Sequence, residues 1–149
     1  MALTDTKRVI LDTGALVALT EVATGRRPSV PAATLLADML SKKLSAVAPT
    51  AVIAEWWRGE HGLAARVRDA VAVIDAPKDV GIDAGLLLAA MPEDRKRPTE
   101  LLVVDALVVV LASRRLDDIY TRDPDLTSLR DKLVDMGKIA KDALHIYRV

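Results

Sequence analysis

Short aliphatic runs of about five residues alternate along this chain with segments of helical periodicity, and that alternation constrains the fold more than any other feature. Residues 7–11, KRVIL, form such a run; it is β-branched and lacks the polar alternation of a half-exposed strand, so a strand buried on both faces is expected. TGALVALTEVA (13–23) follows with helical patterning. The loop TGRRPSVP (24–31) breaks it with Gly25, Pro28 and Pro31, and AATLLADMLSKKL (32–44) resumes with Leu35, Leu36, Met39 and Leu40 at helical spacing. The order then continues as strand SAVAP (45–49), helix TAVIAEWWRGE (50–60), helix LAARVRDA (63–70), strand VAVID (71–75) and helix DVGIDAGLLLAAM (79–91). A polar loop, PEDRKRP (92–98), precedes a very apolar helix TELLVVDALVVVLASRR (99–115), strand DIYT (118–121), helix LTSLRDKLVDM (126–136) and strand LHIYRV (144–149). Strands interleaved with helices from end to end predict an α/β/α sandwich with a mainly parallel five-stranded sheet between helical layers. With 149 residues, 51% of them apolar, a single domain over 1–149 with one core is expected.

Several function classes drop out on composition. The chain has no cysteine, which removes disulfide frameworks, cysteine-ligated zinc, iron–sulfur centres and thiol catalysis, and suits a reducing cytoplasm. No charged segment leads into an apolar signal-like stretch, and the longest apolar run, LLVVDALVVVLA, is too short for a bilayer and carries Asp105, so no membrane is expected as a partner. Lys+Arg and Asp+Glu balance at 21 each, so there is no global basic field. Local basic clusters occur at Arg26/Arg27, Lys42/Lys43, Arg114/Arg115 and RKR (95–97), each readable as solvated surface.

Four carboxylates stand at or inside apolar elements. Asp12 closes KRVIL and opens the next helix, Glu55 interrupts AVIAEWW, Asp105 interrupts LLVVDALVVVLA, and Asp123 follows strand DIYT by two residues. A carboxylate stripped of water without a partner costs several kcal/mol or is neutralised. Capping accounts for Asp12 and a turn for Asp123 taken singly, and Arg58 partly for Glu55, but neither cap nor turn serves Asp105 inside its helix. Parallel sheets place their sites at the carboxyl ends of strands, so Asp12 and Asp123 share an edge if their strands are neighbours. Converging charges about 4 Å apart repel by roughly 4 kcal/mol at an effective dielectric near 20 and call for a cation. An oxygen-only donor set without histidine or cysteine selects Mg²⁺ or Mn²⁺, ions that activate water and stabilise a leaving oxygen on a phosphodiester.

On these residues the chain resembles PIN-domain proteins, and within them the VapC-type ribonuclease toxins of toxin–antitoxin pairs. The resemblance runs from VILDTGALVAL through PTAVIAEWWRG and VVDALVVVLA to IYTRDPDL. The family pattern of an aspartate after the first strand, a glutamate in the helix after the second, an Asp-Ala opening a late helix and a Thr-x-Asp after the fourth strand falls on Asp12, Glu55, Asp105 with Ala106, and Thr121 with Asp123. The resemblance implies sheet order 3-2-1-4-5, magnesium-dependent endoribonuclease activity with these four acids catalytic and metal-holding, RNA as substrate, a homodimer, and restraint by a small VapB-like antitoxin. Two departures accompany it. Gly14 stands where many relatives carry Ser or Asn, which removes a hydrogen bond near the carboxylates, and RDPDL offers both Asp123 and Asp125 to the site, Asp123 being the one that matches Thr-x-Asp.

Other residues weigh less. His61 and His145 lack metal-ligand spacing and read as structural, so histidine base chemistry is not supported. Trp56 and Trp57, about 100° apart on a helix, cannot both point straight into the core, so either both pack at the core boundary or one belongs to a dimer or antitoxin interface, with stacking on an RNA base a poorer third option. Thr13 and Thr121 flank two of the acids and are placed to orient a carboxylate. RKR (95–97) is the basic cluster best placed to attract RNA. The alternative to an enzyme is a catalytically degenerate PIN-like scaffold acting through protein–protein binding. A phosphoaspartate protein fits poorly, because DTG follows the first strand where a dehalogenase-type phosphatase needs Asp-x-Asp, and the acidic pair and late lysine of a receiver are not apparent.

Overall fold

A computed structural model describes residues 6–26, 29–60, 65–92 and 102–149. Along the chain these form β1 (Lys7–Leu11), α1 (Thr13–Ala23), α2 (Val30–Leu40), β2 (Leu44–Pro49), α3 (Thr50–Glu60), α4 (Ala65–Ala70), β3 (Val71–Ile74), α5 (Lys78–Ala89), α6 (Val103–Arg115), β4 (Asp118–Thr121), α7 (Asp125–Asp135) and β5 (Ile146–Arg148). The five strands make one sheet in the order β3-β2-β1-β4-β5, and every pair is parallel. Register sets Val9 against Ala46 and Ile10 against both Val47 and Ile119, so β1 is the central strand, as its unbroken apolar run requires.

The helices pack in two groups, α1 with α2, α3 and α4, and α5 with α6 and α7. Crossovers between parallel strands are right-handed, which sends the first group to one face of the sheet and the second to the other. The core between the layers is aliphatic: Val9, Ile10 and Leu11 of β1, Leu16 and Leu19 of α1, and Val108 through Ala112 of α6 are all buried. Trp56 is buried with them, donating its indole N–H to Thr20 Oγ1 at 3.0 Å, whereas Trp57 is exposed with the Arg68 guanidinium over its ring.

The main boundary shift is in the second helix. The spacing predicts 32–44, and the structure places α2 over Val30–Leu40. Ser29 caps it by accepting the Ala32 N–H, and Pro31 sits in the first turn, where a missing N–H costs nothing. Lys42 turns the chain with φ 67°, so Leu44 joins β2 instead of the helix. Among the described residues no helix is long and apolar enough to cross a membrane.

Candidate active site at the carboxyl edge of the sheet

Because β1 and β4 are neighbours, their ends bring Asp12 and Thr121 together from 109 residues apart. Asp12 is 2% exposed. Its Oδ1 accepts the Ala15 N–H at 2.7 Å, capping α1, and its Oδ2 accepts a short hydrogen bond from the Thr121 hydroxyl. Thr121 Oγ1 in turn accepts the Asp123 N–H at 2.8 Å, and Asp123 Oδ1 accepts the Asp125 N–H at 2.9 Å. A chain of hydrogen bonds therefore runs from Asp12 through Thr121 and Asp123 to the first residue of α7.

Asp105 reaches this edge from α6. Its helix, expected from 99, is described from Val103, which puts Asp105 in the first turn and not mid-helix; residues 99–101 lie outside the described residues. In the first turn the unsatisfied N–H groups and the positive end of the helix dipole favour a carboxylate. The side chain is half-buried, and its Oδ2 is a buried atom.

Asp105, Asp123 and Asp125 each present a carboxylate oxygen, all within 4.8 Å of one another. The two aspartates that RDPDL offers thus both enter the cluster. Asp12 and Glu55 stand outside that group of three, and Asp12 lies within the field of Asp123. Glu55, on the exposed side of α3, accepts the Thr13 hydroxyl at 2.6 Å, which points it back toward the start of α1. Burial pushes the Asp12 carboxyl up to about 6; the Thr121 and Ala15 hydrogen bonds pull it down, and the charges of Asp123 and Glu55 push it further up.

Three carboxylates on a spacing that one ion spans, with oxygen donors alone, fit a hard divalent cation such as Mg²⁺ or Mn²⁺. The pattern of single acids in apolar elements singled out Asp12, Glu55, Asp105 and Asp123, of which Asp105 and Asp123 fall in the cluster. It was silent on two contacts around them. Arg122, between Thr121 and Asp123, reaches Glu21 of α1 with two hydrogen bonds at 2.8 and 3.4 Å. Gly14 lies where an added Cβ would sit 3.1 Å from Arg122 Cβ, so its missing side chain admits the β4–α7 loop in addition to forgoing a hydrogen bond. His61, Arg27, the RKR cluster and the Arg58 side chain lie outside the described residues.

No protein-family model matches the chain, and no curated protein sequence does. Among solved structures it is similar to the crystal structure of VapC20 of Mycobacterium tuberculosis, a toxin that cleaves the sarcin–ricin loop, with 19% identity over 80% of this chain and 93% of that one and a TM-score of 0.58. The chain therefore has the fold of a VapC toxin: a five-stranded parallel sheet in 3-2-1-4-5 order between two helical layers.

Proposed function

We propose that the chain is a divalent-metal-dependent endoribonuclease and the toxin of a toxin–antitoxin pair. The observation that carries this reading is the convergence of Asp105, Asp123 and Asp125 beside the buried Asp12, at the sheet edge where parallel α/β folds hold their sites. Asp12, Glu55, Asp105 and Asp123 hold the ion and are the catalytic acids, with Asp125 added to them by its place in the cluster. A bound Mg²⁺ supplies Lewis acidity to an attacking water and to the phosphodiester oxygens.

The chain's own residues prepare the site. Thr121 keeps Asp12 Oδ2 turned toward the loop that carries Asp123, and the Ala15 N–H holds Oδ1, so the carboxylate has one orientation. Thr13 does the same for Glu55. Both restraints lower the entropy lost when the acids share a cation.

RNA is the substrate class, and a VapB-like antitoxin is the partner. Support for the partner comes from the shallow apolar groove lined by Val22, Gly25, Ser29, Val30 and Ala33 between α1 and α2, where Val30 is 80% exposed. A basic residue of the antitoxin tail directed at Asp12 and Asp105 would meet the electrostatic need that the metal meets. A homodimer is supported by Ile82 and Leu86 of α5 and Val73 of the edge strand β3, all more than half exposed.

The decisive experiment incubates the purified chain with total RNA, with and without Mg²⁺. Mg²⁺-dependent cleavage that disappears in Asp105→Asn is the expected result. Intact RNA under both conditions, with the metal shown to bind, would replace the enzyme with the scaffold reading.

A further inference from the structure

We propose that the Arg122–Glu21 ion pair is a clamp that sets the spacing between Asp12 and the carboxylates of the β4–α7 loop, and through that spacing the affinity of the site for a divalent cation. The inference rests on the metal-site reading above and adds two positioning residues to it. Arg122 is flanked on one side by Thr121, which binds Asp12, and on the other by Asp123, a member of the acidic triad. Its guanidinium makes two bonds to Glu21, 101 residues away near the end of α1, and both side chains are partly buried. Near the start of α1, Gly14 lies against Arg122, where an added Cβ would meet the Arg122 Cβ at 3.1 Å and its backbone N at 3.4 Å. The loop bearing Asp123 and Asp125 is thus tied to α1 close to the helix start and again near its end, while Asp12 caps the same helix.

Such ties have a physical purpose. Carboxylates that converge without a cation repel, and a loop free to move would relax outward to separate them. Holding the loop on α1 keeps Asp123 and Asp125 at a fixed distance from Asp12 before the ion arrives, so less binding energy goes into reorganisation. Supporting partners of metal-holding carboxylates act in this way, and their loss costs metal affinity without touching a donor atom.

The test is Mn²⁺ affinity of the full-length chain, by calorimetry at a temperature where every variant is folded, alongside kcat and KM for RNA cleavage. R122A and E21A should each weaken Mn²⁺ binding by about tenfold. Both should lower kcat with KM for RNA nearly unchanged, and the double variant should be no worse than either single one, because the two act as one unit. Gly14→Ala, which leaves every charge in place, should weaken Mn²⁺ binding about threefold by pressing on Arg122, and Arg122→Lys should recover part of the affinity. A purely structural pair would lower the melting temperature and leave Mn²⁺ affinity as it was, overturning the clamp. A rise in KM confined to R122A would make Arg122 an RNA contact instead. Tighter Mn²⁺ binding in R122A, with loss only in E21A, would mean that Glu21 merely keeps Arg122 off the carboxylates. Either result overturns the clamp, whereas a wild-type chain that neither binds Mn²⁺ nor cleaves RNA overturns the metal-site reading itself.

Discussion

Asp12 is the residue whose chemistry is most altered by its surroundings. Burial raises its carboxyl from 3.8 to about 6, so the native chain holds this proton more tightly than the unfolded one. On this group's account the metal-free protein has its full stability below about pH 4, loses part of it as the pH rises from about 4 to 6, and changes little above that. The difference corresponds to about 3 kcal/mol at neutral pH. Asp12→Asn keeps an oxygen for the Ala15 N–H and removes the charge, so in EDTA its melting temperature should exceed the wild type's at pH 7 and match it near pH 4. Calorimetry at the two pH values checks this; a gain equally large at pH 4 would show that burial of the charge is not the cause. The same substitution should abolish Mg²⁺-dependent cleavage.

At the scale of an element, α6 carries the opposite assignments of its two ends. Asp105 sits in its first turn, where a negative charge is favoured, and Arg114 and Arg115 in its last, where positive charge is favoured. Arg114 pairs with Asp79 and Asp83 of α5, and Arg115 with Asp117 just before β4, so the basic pair tethers neighbouring segments. The helix then stops on Leu116, whose φ of 57° is left-handed and whose side chain is 75% exposed. A β-carbon is strained there, and glycine is the usual residue at such a helix end. Leu116→Gly should stabilise the chain by about 0.5–1 kcal/mol, because little burial is lost and the strain is relieved. Urea titration should show a higher midpoint at unchanged slope; a lower midpoint would mean that Leu116 makes contacts its exposure conceals.

The assembled molecule places five carboxylates near one edge of one sheet, and its response to cations follows from that. An ion that binds the native cluster and not the unfolded chain stabilises it by about 2.7 kcal/mol at a hundredfold excess over Kd. Mg²⁺ should therefore raise the melting temperature, and Mn²⁺ should do so at lower concentration, as the divalent affinity order requires. Differential scanning calorimetry across millimolar additions checks both, and indifference to both ions would speak against the site. Leu86→Glu should turn the proposed dimer into a monomer by light scattering while leaving the metal response intact, since α5 contributes no carboxylate to the cluster.

Strand and helix order was legible in the chain because it depends on local pattern; the same pattern singled out four acids at or inside apolar elements, of which Asp105 and Asp123 fall in the cluster. The run KRVIL, the helical spacing after it, and the turn-forming Gly and Pro residues act within a few positions, and the structure reproduces them with small shifts at α2 and at the start of α6. The clean parallel order 3-2-1-4-5 came from family resemblance; local pattern said only that the sheet would be mainly parallel. Which side chains meet was a different matter. That Asp125 joins Asp123 and Asp105, that Thr13 fastens Glu55, and that Arg122 crosses to Glu21 beside Gly14 are contacts between segments far apart in the chain. Periodicity carries the burial of a residue because burial repeats with the backbone; it carries no information about the neighbour across a parallel crossover. That neighbour is decided only when β1 lies beside β4 and their carboxyl ends close on the same space.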